Sequence, residues 1–281
     1  MSVCSDADTG VERSMRQYLN LMQEILDKGV SRVGRDKEET ISLFGRSMRF
    51  DMVRGEFPLV TTRTLNPQTF IKETLWFLRG ETNTRSLGCR IWDKWADQDG
   101  NLGPIYGFQW RGWRTKEGKV DQLQGVIDTL KKDPYSRRLV VSSWNVEDLE
   151  SMALPPCHVM FQFFAEPSDY SRRPMLSLSV TQRSADMCIG VPFNIASYAL
   201  ILKLVATTVG MLPKELIWNG NDCHIYERHV EVLKRQLQRI PQPLPIVKFV
   251  RTYPLVESYK VEDIEVLGYV PEPPLKYEVT L

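Results

Sequence analysis

Apolar residues recur three and four apart at Met15, Tyr18, Leu19, Met22, Ile25 and Leu26, and Gly29 stands just beyond them. That period predicts an amphipathic helix closed by the glycine. The run TISLFGRSMRFDM alternates apolar and polar positions and predicts a strand. Asn66-Pro67 supplies a cap and a first-turn proline for a helix through QTFIKETLWFLR, stopped at Gly80. Between Glu81 and Lys119 no period holds; the segment is rich in Trp, Gly, Asp and Arg and reads as a long functional loop. DQLQGVIDTLKKDP is a helix ended by Pro134. RRLVVSSWN, CHVMFQFFAE and MLSLSVTQRS follow as strands. A long buried helix is expected from Asn194 to Met211, then a strand running into a turn in ELIWNGNDCHIY and an amphipathic helix in ERHVEVLKRQLQR. From Pro241 onward the chain is proline-spaced, with short strands. The order predicts a single α+β domain over residues 12–281, a large mixed or antiparallel sheet covered by helices, behind a loose tail at 1–11.

Composition narrows this picture. With 281 residues, 42% apolar and 25% charged, and a net charge of +1, the chain has no bulk attraction for DNA or a membrane surface. The apolar stretch Ile195 to Leu212 is broken by Lys203 and carries Ser197, Thr207 and Thr208, so it reads as a buried helix and not a membrane span. The opening MSVCSDADTG has no secretory character, and five scattered cysteines form no C-x-x-C pair. Both suit a cytoplasmic protein with free thiols.

The first candidate for chemistry is Cys157, beside His158 in PPCHV. On a strand, neighbours point to opposite faces, so the two cannot readily share a proton. Only His224 and His229 remain as a base, while a cation could activate the thiol instead. A buried, inert cysteine is the alternative. Gln182, Arg183 and Ser184 end a strand with groups suited to a phosphate, or with plain solvated polarity. Gly190 allows a ligand to approach the backbone. Asn194 either caps the buried helix or reads a base edge, its amide being donor and acceptor at once. Arg137-Arg138 is a solvated pair or a phosphate clamp. His224 and Tyr226, two apart, share a strand face and could hold one hydroxyl-bearing ligand. Glu73, on an apolar helix, is at the edge of the stripe or buried with a raised pKa suited to a proton relay. Three histidines and no thiol pair give no metal-ligand spacing, so no metal is expected. Walker, G-x-G-x-x-G and G-x-S-x-G patterns do not occur. The residues alone point to a nucleotide-modifying enzyme or a non-catalytic module that binds a phosphosugar or a nucleotide.

Taken in order, SLFGRSMRFDM, FPLVTTRT, ETLWFLRGETN, IWDKWAD, LGPIYGFQWR, DPYSRR, ALPPCHVMFQF, QRSADMCIGVPFNIASYAL and NDCHIYERH resemble the thymidylate synthase family over nearly the whole chain. The resemblance implies a homodimer that methylates dUMP with 5,10-methylenetetrahydrofolate, giving dTMP and dihydrofolate. It makes Cys157 the nucleophile at carbon 6 of the pyrimidine and Asn194 the reader of its edge, with Glu73 and Tyr106 in a water-mediated proton relay. Arg35, Arg183 and Ser184, beside Gln182, would hold the phosphate with Arg137 and Arg138 of the other subunit, and Arg183 is the first candidate for activating the thiol. His224 and Tyr226 would bind the sugar. Trp92, Trp95, Leu154, Asp186, Gly190 and Phe193 would line the folate site, with Asp186 also near the nucleotide and Leu281 closing over it.

The sequence departs from the family where a phosphate loop of Asp-Arg-Thr-Gly-Thr-Gly-Thr is usual: Gly34 to Thr40 reads GRDKEET. Both glycines are lost, and Glu38 and Glu39 would repel a phosphate unless they point outward. Asn221 stands where glycine is usual, Cys188 where an aromatic is common, and AEPSDYSRRP is a longer connection. These differences bear on closure, and a site open to water would release hydroxymethyl-dUMP and tetrahydrofolate instead. A catalytically silent nucleotide- or RNA-binding relative is the third alternative.

Overall fold

In the computed structural model the described residues are 15–34 and 37–278. α1 (Arg16–Lys28) buries Tyr18, Leu19, Leu21, Met22 and Ile25 along one face, as the spacing predicts. Gly29 ends it in an extended conformation (φ −68°); a Cβ there would meet the Ile25 carbonyl oxygen at 2.4 Å and the Ile41 side chain at 2.5 Å. This glycine serves close approach and not a left-handed turn. β1 (Val30–Val33) and β2 (Glu39–Asp51) form a hairpin. α2 (Pro67–Leu78) starts as expected, the Asn66 side chain accepting the Gln68 N–H at 3.0 Å.

The stretch expected to be irregular holds more structure than its sequence shows. α3 (Tyr106–Gly112) and a small hairpin of β3 (Trp113–Thr115) and β4 (Gly118–Val120) lie within it. α3 has only seven residues and two glycines, too short for a helical period to register. α4 (Gln122–Lys132), β5 (Val140–Ser142), β6 (His158–Glu166) and β7 (Met175–Asp186) follow as predicted.

α5 (Gly190–Thr208) begins four residues before the expected start, so Asn194 sits one turn inside the helix. The reading of Asn194 as an N-cap is therefore corrected. Pro192 misled it, because a proline is tolerated throughout the first turn, where its missing N–H costs nothing. α5 is long and apolar enough to cross a membrane by composition, but most of it is buried within the protein. β8 (Leu212–Tyr226), α6 (Val230–Leu237), β9 (Ile246–Phe249) and β10 (Ile264–Leu267) complete the order.

The main sheet runs β1-β2-β8-β7-β6-β5. Every pairing in it is antiparallel except β7 with β8, which is parallel and joined through the α5 crossover. The sheet is mixed, with helices packed on it and a core that includes Trp76, Trp110, Trp218, Tyr198 and Phe161. The parallel pair matters for function. It sends the C-terminal ends of β7 and β8 to one edge, where the first turn of α5 also lies.

Candidate active site

That edge opens into a cavity of about 1120 Å³. Register assembles its floor: Ser184 lies opposite Asp222, and Asp186 opposite His224. Cys157 enters just before β6, where His158 pairs with Gln182. α5 contributes Gly190, Phe193 and Asn194, α2 contributes Glu73, α3 contributes Tyr106, and the preceding loop contributes Trp92 and Trp95. Leu154, Arg183 and Tyr226 complete the expected set that meets here. Arg137 and Arg138 are exposed and line no part of their own chain's cavity. Arg35 and Leu281 lie outside the described residues.

Cys157 is held by its backbone. Its N–H donates to the Tyr106 hydroxyl at 2.8 Å, and its carbonyl accepts the Arg183 N–H at 2.7 Å. The Arg183 guanidinium donates to the carbonyls of Pro156 (2.7 Å) and Pro155 (2.9 Å) and lies 5.3 Å over the Trp144 ring. Those two carbonyls fix the cation beside the loop that carries Cys157. Burial pushes the Cys157 thiol pKa up, and Arg183 pulls it back only in part. Arg183 thus favours the thiolate without producing it outright.

His158 is no partner for this thiol. Its Nδ1 lies 2.7 Å from the Tyr198 hydroxyl, its ring stacks on Tyr106 at 4.0 Å, and it is buried. Burial alone lowers its pKa to about 3, so the ring is neutral and spent on packing.

Glu73 resolves the other way. It is buried, its pKa is raised by burial to about 7, and Trp92 Nε1–H donates to its Oε1 at 2.8 Å. A carboxyl poised at neutrality can give and take a proton at little cost.

Asn194 is oriented by a chain of amides. The Trp218 indole can only donate, so Gln182 Oε1 must accept it, at 2.9 Å. Gln182 Nε2 then donates to Asn194 Oδ1 at 3.0 Å and to the Ser184 carbonyl at 3.1 Å. The Asn194 amide therefore keeps its Nδ2 donor and one lone pair of Oδ1 for a ligand.

Sequence reasoning passed over three residues at this site. Asp222 accepts from Arg32 Nη2 at 2.6 Å, and His224 Nδ1 lies 3.2 Å from the Asp222 carbonyl and 3.6 Å from its Oδ1. The His224 contact, with Arg32, holds the Asp222 carboxyl down at about 2 despite partial burial. Burial disfavours the charged His224 ring, but Asp222 and Asp186 outweigh it and leave the pKa raised. Asp222 was findable: it extends the two-residue spacing of His224 and Tyr226 back along the same strand face. Trp144, by contrast, carries no sequence signal.

The atypical loop is also accommodated. Glu38 pairs with Arg228 at 2.8 Å and Glu39 accepts from the Ser31 hydroxyl at 2.6 Å, and neither lines the cavity. Lys37 takes up a left-handed conformation (φ 62°) at a position where the resemblance places glycine. The thymidylate synthase family model matches residues 16–281.

Proposed function

We propose, from the premise that the chain belongs to the thymidylate synthase family of folate-dependent dUMP one-carbon transferases, that it reductively methylates dUMP to dTMP. Methylenetetrahydrofolate supplies first the carbon and then a hydride, and dihydrofolate is released. The chain's residues fit that cosubstrate: Trp92 and Trp95, with ring centroids 5.5 Å apart, join Phe193 and Leu154 as an apolar wall, and Asp186 offers a carboxylate.

The residue roles are those the family resemblance implies, and the gathering of most of them in one cavity supports the reading. Cys157 Sγ adds to carbon 6 of the pyrimidine and makes carbon 5 nucleophilic. Because burial keeps the sulfur a thiol, its proton passes through water to the Glu73 carboxylate as the sulfur attacks, with the Arg183 charge stabilising the negative charge that develops on sulfur. Asn194 reads the uracil edge with its free donor and lone pair. Glu73 moves the protons. Ser184 and Arg183, with Arg35, hold the phosphate, and His224 and Tyr226 the sugar. In a cytoplasmic homodimer, Arg137 and Arg138 cross to the partner's phosphate, which accounts for two arginines left exposed on their own subunit. Large apolar side chains exposed on the sheet, such as Phe44 (78%) and Phe164 (62%), support a subunit packed against it.

The observation that favours methylation over hydroxymethylation is the Trp92 indole, buried and tied to Glu73. A rigid aromatic wall there excludes water from the exocyclic methylene, leaving hydride return as the exit. The deciding experiment incubates the protein with dUMP and methylenetetrahydrofolate and identifies the nucleotide by mass. dTMP with equimolar dihydrofolate is expected; hydroxymethyl-dUMP with tetrahydrofolate would refute the methylation reading.

A further inference from the structure

Below the cavity floor lies a cluster of which the proposed reaction uses only Asp186. One donor atom each from Asp186, Cys188 and His229 lies within 4.8 Å of the other two. Cys188 and His229 are buried, at 0% and 1% exposure, and Asp186 reaches the cavity. The histidine supplies an independent sign of a ligand. Its Nε2 lies 2.8 Å from the Glu278 carbonyl, which can only accept, so the ring proton sits on Nε2. Its Nδ1 then carries a bare lone pair, and that atom is buried with no hydrogen-bond partner. A buried, unpaired ring nitrogen whose tautomer is fixed by a backbone carbonyl is the usual state of a metal-ligating imidazole.

We propose that Asp186, Cys188 and His229 bind a zinc-class divalent cation, with a water from the cavity as fourth ligand. Thiolate, imidazole and carboxylate together suit a borderline-soft, tetrahedral ion. Ligand atoms around such an ion sit about 3.5 Å apart, so the cluster closes by at most about an ångström on binding. The Cys188 thiol gives up its proton to solvent as the ion enters, and the two anionic ligands then match the ion's charge.

Binding has a functional consequence that rests on the proposed function. It takes the Asp186 carboxylate away from the folate end of the cavity, and it joins the end of β7 to the Glu278 segment through His229. The ion therefore inhibits, raising KM for the folate more than it lowers kcat.

The test titrates the full-length protein with cobalt(II) as a spectroscopic stand-in, in the absence of nucleotide and folate. One equivalent should give a thiolate-to-cobalt charge-transfer band, displaced by zinc. The band should vanish in Cys188→Phe and survive in Cys157→Ser. In His229→Gln, affinity should fall about 10- to 100-fold. Circular dichroism and melting confirm that each variant is folded, and the His229→Gln result stands if Cys188→Phe does not fold. No band in the wild type, or a band indifferent to both Cys188→Phe and His229→Gln, overturns the site. Since the readout needs no turnover, it is independent of whether the protein methylates dUMP.

Discussion

The indole N–H of Trp218 and the side-chain carbonyl of Gln182 share a 2.9 Å hydrogen bond, and that bond, through Gln182, orients the Asn194 amide to which the proposed function assigns the base. Trp218 is fully buried on β8. Replacing it by Phe removes the donor that forces the direction of the Gln182 and Asn194 amides. We expect Trp218→Phe to lower the preference for dUMP over dCMP about tenfold, the worth of one buried hydrogen bond of about 1.4 kcal/mol. The ratio of kcat/KM for the two nucleotides checks it; an unchanged ratio would show that Asn194 is held by other means.

Glu73 makes stability depend on pH. Its pKa is raised in the folded state from 4.5 to about 7, so the folded protein keeps a proton that the unfolded chain releases first. Its contribution is fully present below pH 4.5 and is lost as pH rises through about 7, amounting to about 3 kcal/mol. Glu73→Gln should abolish that part of the slope, so that chemical denaturation curves of variant and wild type converge at low pH and separate above neutrality. Activity should fall about 10² to 10⁴-fold, the usual loss when a general acid–base group is removed.

Asp222 should act through its two neighbours. Because its carboxyl is held down at about 2, it is charged throughout the working range. Asp222→Asn removes that charge from beside His224 and should lower the His224 pKa, read by NMR titration of the ring. It also releases Arg32 from its 2.6 Å contact, and KM for dUMP should rise several-fold. A His224 titration indistinguishable from wild type would assign the raised pKa to Asp186 instead.

Lys37 carries a strained backbone at φ 62°. Glycine adopts that region freely, so Lys37→Gly should stabilise the protein by about 1 kcal/mol, less what the unfolded chain gains in freedom. Thermal melting checks it, and a lower melting temperature would mean that the Lys37 side chain contributes more than the strain removes.

These four residues also show how far the sequence could be read. Outside the stretch that holds α3, β3 and β4, the element order and the sheet were legible because period is a local property of the chain, and the gathering of Cys157, Glu73, Asn194 and His224 in one cavity was what the family resemblance implied. The electrostatic setting of Cys157 was only half legible. The motifs led to Arg183, but the magnitude of burial against that charge belongs to packing. Trp218 reads as a core residue in any local window; its role exists only through the parallel register that sets Trp218 opposite Val180, one strand away from Gln182's own neighbourhood. Lys37 looked like a lost glycine, and only the dihedral shows that the turn was kept and the strain accepted.

The parallel pairing of β7 with β8 has a further consequence during synthesis. Arg32 and Asp222 meet across 190 residues, and the cavity floor is incomplete until β8 has left the ribosome. Until then β7, whose residues Met175, Leu176, Leu178 and Val180 end up buried, has no neighbour on the side that β8 will fill. A chain stopped short of β8 thus already contains Cys157 and Glu73 but has no nucleotide floor. It carries an open, apolar sheet edge in the middle of what should be the core, and such fragments should aggregate or be held by chaperones.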